Sequence, residues 1–171
     1  MENTIQLRPF KSSDAQRLAS IANNANISDN LRDGFPHPYT LEHASQFISR
    51  TLSADPISIF AIEKDGEHVG NIGLHPESDI YSRTAELGYF VGEDYWGKGI
   101  GTEAVRQIVQ YGFETMNLIR IHAGVFEYNR GSMRILEKNG FLKEGVSRKR
   151  VVKNGKVLDE HQYSIINPKY A

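Results

Sequence analysis

The sequence predicts an α/β fold, a mixed and mostly antiparallel sheet flanked by helices. Three observations lead there. Residues 57–91 hold three apolar runs separated by polar turns, the pattern of an antiparallel meander. The third run leads through a glycine-rich turn into a long helical pattern and then another alternating run, a βαβ unit whose two strands are parallel. The chain closes on two strand-like runs around Asn154-Gly155, a hairpin signal.

Taken in order, Ile5-Gln6-Leu7-Arg8 alternates apolar and polar and is stopped by Pro9. Ser12, Ser13 and Asp14 offer helix caps, and Leu18, Ile21, Ala22 and Ala25 put an apolar stripe on the helix that follows. Residues 23–39 are polar and irregular, and Pro36 and Pro38 exclude ordinary helix at their end. Phe35 and Tyr39 in this loop either line a pocket or plug the loop onto the core. Thr40 caps a helix over 41–52, with Leu41, Ala44, Phe47, Ile48 and Leu52 on one face. Strands at 57–62 and 68–74 flank the turn Lys64-Asp65-Gly66-Glu67, and a looser connection leads to a strand at 84–91. The helix after the glycines keeps Val105, Ile108, Val109, Gly112 and Met116 on one side, and Ile119, Ile121, Ala123 and Val125 alternate in the strand after it. A shorter helix over 131–138 stops at Asn139-Gly140, and the hairpin pairs 145–152 with 157–166.

The totals bound the function classes. A chain of 171 residues is expected to be one domain, 1–171, with 39% apolar and 24% charged residues fitting a globular protein. Twenty basic residues against 21 acidic ones give a net charge of −1, so no general attraction to nucleic acid is expected. The absence of cysteine excludes disulfides, thiolate metal sites and a cysteine nucleophile. His37, His43, His68, His75, His122 and His161 show no ligand spacing, so no metal is expected. Met1-Glu2-Asn3-Thr4 does not read as the start of a signal peptide, and no apolar run nears the roughly 20 residues that span a bilayer. The expectation is a cytoplasmic protein without a membrane partner; a homodimer is left open.

The stretch Val91-Gly92-Glu93-Asp94-Tyr95-Trp96-Gly97-Lys98-Gly99-Ile100-Gly101-Thr102 lies between a strand and a helix start. A helix start leaves backbone N–H groups free with partial positive charge, and glycines remove the Cβ atoms that would hold a ligand off. Such a place suits a phosphate, with Lys98 adding a full charge; the alternative is a plain turn with no ligand.

Three segments then become familiar together: Ala85-Glu86-Leu87-Gly88-Tyr89-Phe90-Val91, the run Tyr95 to Ala104, and Asn129-Arg130-Gly131-Ser132-Met133-Arg134-Ile135-Leu136-Glu137-Lys138-Asn139-Gly140-Phe141. Their order and spacing resemble the GNAT superfamily of N-acetyltransferases, nearest to its RimJ/RimL-type branch, named for enzymes acetylating ribosomal-protein N-termini. The resemblance implies a GNAT-like acyl-CoA N-acyltransferase fold with acetyl-CoA as acetyl donor. It implies that Phe90, Val91, Trp96, Gly97, Lys98, Gly99, Ile100, Gly101 and Thr102 bind acetyl-CoA, the pyrophosphate lying on the loop. It also implies that Asn129 bonds the pantetheine arm and that backbone N–H groups near Val91 receive the oxyanion. Two departures stand out. Trp96 occupies a place where the family often has Gln or Arg, and Leu136 one where many members carry a tyrosine general acid.

Acetyl transfer to an amine needs a neutral amine, donors for the oxyanion and a proton for the departing thiolate. Glu86 is the chosen base, direct or through water, against the alternative of a glutamate bonded within the sheet. Ser132 matches a serine that some RimL-like enzymes place near the departing sulfur, against the alternative of a helix cap. Arg130, Arg134 and Lys138 either reach the nucleotide phosphates or form a solvated face. The expected acceptor is a primary amine, a protein N-terminal α-amine or a small amine, shaped by the 30–39 loop and the final hairpin. Transfer is expected to be direct, since no cysteine exists to carry acetyl. One rival is a dinucleotide-binding oxidoreductase, because Gly99-Ile100-Gly101-Thr102-Glu103-Ala104 fits G-x-G-x-x-A; the residues between Val91 and Gly97 argue against it. The other is a non-catalytic acyl-CoA sensor, kept alive by Leu136.

Overall fold

In the computed structural model, which describes residues 4–171, seven strands form one sheet. The sequence reading of the amino terminus falls on residues 1–3, outside those described, and on Thr4. β1 (Ile5–Arg8), β2 (Ile59–Lys64), β3 (Glu67–Pro76) and β4 (Thr84–Val91) are successive antiparallel neighbours. β5 (Arg120–Phe126) runs parallel to β4, as the βαβ pattern predicts. The hairpin of β6 (Leu142–Lys153) and β7 (Lys156–Ile166) then adds with β7 against β5, giving the order β1-β2-β3-β4-β5-β7-β6. Both Asp65-Gly66 and Asn154-Gly155 have two successive positive φ angles, the type I′ geometry that matches strand twist.

Strand alternation divides the core in two. Ala61 and Phe90 pack with Leu18 and Ala22 of α1 (Ala15–Ala22), Ile27 of α2 (Ala25–Ser28), and Ala44 and Ile48 of α3 (Leu41–Leu52). Ile62, Ile72, Leu74, Leu87 and Val91 pack on the other side with Ile100, Val105 and Ile108 of α4 (Ile100–Glu114) and Leu136 of α5 (Arg130–Lys138). Among the described residues, no helix is long and apolar enough to cross a membrane.

Local differences from the sequence reading have local causes. The first helix stops at Ala22, because Asn24 adopts an extended backbone and its side chain accepts from Asn26 N–H, starting α2. Ala25 is therefore exposed and leaves the expected stripe, while Ile27 is buried. Leu41 and Leu52 are exposed; the inward face of α3 is Ala44, Ile48 and Thr51. Residues 57 and 58 precede β2 rather than opening it, and β6 begins three residues before the expected strand. The 23–39 loop does both things open to its aromatics. Phe35 stacks 5.0 Å from Tyr39 and 5.4 Å from Phe90, plugging the loop onto the sheet, and both border the cavity described next.

Candidate active site

The site begins with a strand pair that comes apart. β4 and β5 pair only at Thr84–Arg120, Ala85–Ile121 and Glu86–His122. Glu77 N–H donates to Thr84 O (2.9 Å) and Gly92 N–H to Val69 O (2.8 Å), so even-numbered residues of β4 bond β3. The odd-numbered Leu87, Tyr89 and Val91 accordingly turn their N–H and C=O groups toward β5, which has diverged. A cavity of about 1650 Å³ passes through this gap and opens on both faces of the sheet. One part is bordered by Trp96, Gly97, Gly99, Gly101 and Thr102 with Asn129, Ser132 and Arg134; the other by Arg32, Phe35, Arg50, His75, Glu77 and Glu86.

The lead from Val91 to Gly97 is a pinned turn. Residues Glu93–Tyr95 form a 3₁₀ turn, Glu93 accepts from the side chains of Asn24 (2.6 Å) and Asn26 (2.9 Å), and Tyr95 OH accepts from Arg17 (2.8 Å). Trp96 finds its purpose here: its indole N–H donates to Val91 O at 2.7 Å. The indole satisfies the carbonyl that the diverging β5 leaves unpaired, and Val91 N–H remains directed at the gap. Gly97 (φ 72°) and Gly99 (φ 77°) then turn the chain through the left-handed region into α4. Gly99 is the N-cap and no side chain caps this end; the first helical bond runs from Glu103 N–H to Gly99 O. The N–H groups of residues 100–102 thus present the partial positive charge of a 15-residue helix to the cavity.

The Lys98 side chain turns away from this loop, and the missing Cβ of Gly101 has a packing role besides its backbone one. Lys98 folds back, donating to Asp94 O (2.9 Å) and resting over the Tyr95 ring, and does not border the cavity. Gly101 is buried and serves helix packing, since a Cβ there would sit 2.8 Å from Ile135 Cδ1 of α5. Ile100 is buried in the core beneath the loop, and Phe90 belongs to the opposite core cluster, so each supports the loop through its backbone and packing.

On the α4–α5 side, Asn129 caps α5 by accepting from Ser132 N–H at 3.2 Å. The cap is therefore the asparagine, and the Ser132 hydroxyl is free to meet Tyr89 OH at 2.7 Å. Tyr89 was not singled out by the sequence, although strand parity places it on this face next to Val91. Burial pushes its phenol up to about 12 against the lowering effect of the Ser132 bond, so it stays protonated at neutral pH. Leu136 is fully buried in the core. Arg134 and Lys138 continue the line of Arg130 along the cavity wall, and no ion pair forms on any of the three among the described residues.

Glu86 lies on the other face of β4, flanked across the sheet by His75 on β3 and His122 on β5. Arg32 grips it, Nη2 standing 2.6 Å from Oε1 and 2.8 Å from Oε2. Burial holds His75 below the usual histidine range and favours its neutral form, while the Glu86 charge acts in the opposite direction. His122 Nε2 bonds Glu77 at 2.5 Å. The structure therefore puts Glu86 and Ser132 on opposite faces of one strand, bordering one cavity without touching. Among the described residues, no group of three His, Cys, Asp or Glu is arranged to hold a metal.

This geometry has known counterparts. A model of the acetyltransferase (GNAT) domain matches residues 4–142. The probable N-acetyltransferase YjcK of Bacillus subtilis is 38% identical, covering 96% of this chain and 95% of that protein. Spermidine N(1)-acetyltransferase of Escherichia coli is 27% identical, covering 98% and 89%. The crystal structure of ribosomal-protein-S5-alanine acetyltransferase from Vibrio fischeri superposes with a TM-score of 0.83 at 26% identity, covering 98% and 95%. The chain belongs to the GNAT acetyltransferase family and is an acetyl-CoA-dependent N-acetyltransferase.

Proposed function

We propose that this GNAT-family chain, residues 1–171 acting as one unit, moves acetyl from acetyl-CoA directly to a primary amine in a ternary complex. The observation that carries the reading is the gap between β4 and β5, which joins a loop suited to phosphate on one face to a carboxylate on the other within one cavity. The pyrophosphate lies on the N–H groups of residues 97–102, and the pantetheine arm follows Asn129 along the strand edge that β5 vacates. The thioester carbonyl then meets Val91 N–H, held in place by the Trp96 bond to the same residue's carbonyl.

The chemistry divides across the strand. An α-amine, with a pKa near about 8, is partly neutral at pH 7, whereas a lysine-type amine near about 10 is not. The amine nitrogen attacks the thioester carbon and gives its proton to Glu86, directly or through water. The tetrahedral intermediate collapses with cleavage of the C–S bond, and the departing sulfur takes a proton from the Ser132 hydroxyl, which Tyr89 OH replenishes; as products leave, solvent returns the proton to Tyr89 and takes the one held by Glu86. Tyr89 and Ser132 together supply what Leu136 cannot.

The acceptor belongs to the same proposal. Likeness to the ribosomal-protein acetyltransferase supports a protein N-terminal α-amine, the RimJ/RimL-type assignment, in a cytoplasmic setting; likeness to the spermidine enzyme keeps small amines in the screen. Thiol release from acetyl-CoA over a panel of peptide N-termini and small amines tests the reading. Transfer to at least one amine is the expected result. Tight acetyl-CoA binding with no turnover on any acceptor would replace it with the sensor.

A further inference from the structure

The carboxylate assigned to the amine is not open in the free protein. Both oxygens of Glu86 are held by one guanidinium nitrogen of Arg32, at 2.6 and 2.8 Å. Arg32 comes from the loop after α2, and its side chain is 76% exposed, with no other polar partner among the described residues. Its neighbours are fixed. Asp33 bonds the buried Lys153 at 2.8 Å, Asp29 accepts from the Asn154 side chain at 2.9 Å, and Tyr128 OH donates to Asp29 O. The backbone is thus anchored to the β6–β7 hairpin on both sides of a side chain that is itself free to swing.

An ammonium reaching Glu86 must take the place of that guanidinium. The exchange replaces one cation by another on the carboxylate and leaves Arg32 without a counter-ion at the cavity mouth. The other acids on this side are engaged, Glu77 by His122 at 2.5 Å and Asp29 by Asn154. One nearby cation is not. Arg50 on α3 borders the same part of the cavity and has no ion pair among the described residues. An acceptor of positive charge alone displaces Arg32 and gives it nothing in return. An acceptor with a carboxylate a few bonds from its amine satisfies Glu86 and Arg32 together, and the planar guanidinium fork suits that carboxylate.

Resting on the proposed acetyl transfer, we infer that Arg32 is the specificity-determining residue of the acceptor site. It closes Glu86 in the free protein, and on binding it passes to a carboxylate next to the acceptor amine, so the preferred substrate class is an amine flanked by an acidic group.

The test compares the amides of the dipeptides Ala-Asp, Ala-Ala and Ala-Lys, together with spermidine, as acceptors for the wild type, Arg32→Ala and Arg32→Glu. The wild type should prefer Ala-Asp over Ala-Lys by about tenfold or more in kcat/KM. Arg32→Ala should abolish that preference through the acceptor KM, and Arg32→Glu should invert it. The KM for acetyl-CoA, which binds on the other face of the sheet in the proposed reading, should stay within about threefold in both variants, a change too small for a lost binding contact. A merely structural arginine would lower turnover on all acceptors alike, and that result would overturn the inference. So would a preference that survives in Arg32→Ala, or spermidine as the best acceptor of the wild type. Turnover with unchanged selectivity removes this inference alone; no turnover on any amine removes the acetyl-transfer reading beneath it as well.

Discussion

Replacing Gly99 by alanine separates the two demands placed on the phosphate loop. Gly99 caps α4 at φ 77° and ψ 3°, and an L-residue in that region costs about 1 kcal/mol relative to glycine. No atom lies within 4 Å of the position its Cβ would take, so no steric cost adds to the backbone cost. The free protein should lose about 1 kcal/mol, a fall in Tm of roughly 2–4 °C for a chain of this size. Gly99 borders the cavity, on the side where the pyrophosphate is proposed to bind. A methyl group there holds the phosphate off the first N–H groups of α4. Loss of one charge-assisted hydrogen bond, about 1.5–3 kcal/mol, weakens acetyl-CoA by roughly 10- to 100-fold. Denaturant unfolding of the free protein and calorimetric titration with acetyl-CoA read the two effects separately. A stability loss of the expected size with unchanged affinity would refute the placement of the pyrophosphate. Gly101→Ala is the contrasting variant: its Cβ meets Ile135 across the α4–α5 contact, so it should alter stability more than affinity.

Three further outcomes are expected. Trp96→Phe leaves Val91 O without its donor and should cost about 1 kcal/mol of stability together with acetyl-CoA affinity, both read as above; an unchanged unfolding curve would remove the indole from the account. Tyr89→Phe and Ser132→Ala should each lower kcat by about 10- to 100-fold, and the double variant should be no slower than the worse single one, whereas independent losses that multiply would break the hydroxyl pair into unrelated residues. Glu144 is held down to about 2 by its hydrogen bonds from Arg120 and then from Ser164. A carboxylate with a depressed folded pKa adds stability that is complete above its unfolded value, near about 4.3, and is lost as pH falls toward about 2. Because the pair is partly exposed, Glu144→Gln should cost only about 0.5–1 kcal/mol at pH 7, a difference that urea unfolding should find shrinking through that acid window.

Local and periodic signals carried most of the fold. Alternation fixed the strands from β1 to β5, Asp65-Gly66 and Asn154-Gly155 fixed the turns, and the βαβ pattern fixed the one parallel pair. The boundaries missed, at Ala25 and residue 57, and the exposure of Leu41 within a correctly bounded α3, are places where a cap or a tertiary contact outweighs a stripe. The glycine turn into α4 was legible because glycines before a helix have a direct physical reading, and the proposed acetyl-CoA contact rests on it. What stayed hidden depends on contacts between distant segments. The divergence of β5 after Glu86, the Arg32 grip on Glu86 and the Tyr89–Ser132 pair leave no periodicity in the chain. Trp96 was visible as an anomaly, and only the unpaired Val91 carbonyl gives it a reason. Lys98 shows the opposite error: a charge adjacent to the loop in sequence is turned away from it by Asp94 and Tyr95.

In the proposed mechanism one cavity brings an acetyl donor on one face of the sheet to a carboxylate base on the other. It is tested most directly by measuring kcat and the acetyl-CoA Kd of Glu86→Gln side by side. The kcat should fall by about 10²- to 10⁴-fold, the range of a lost general base, with Kd unchanged. A variant that keeps its turnover, or that loses affinity and turnover together, would contradict it.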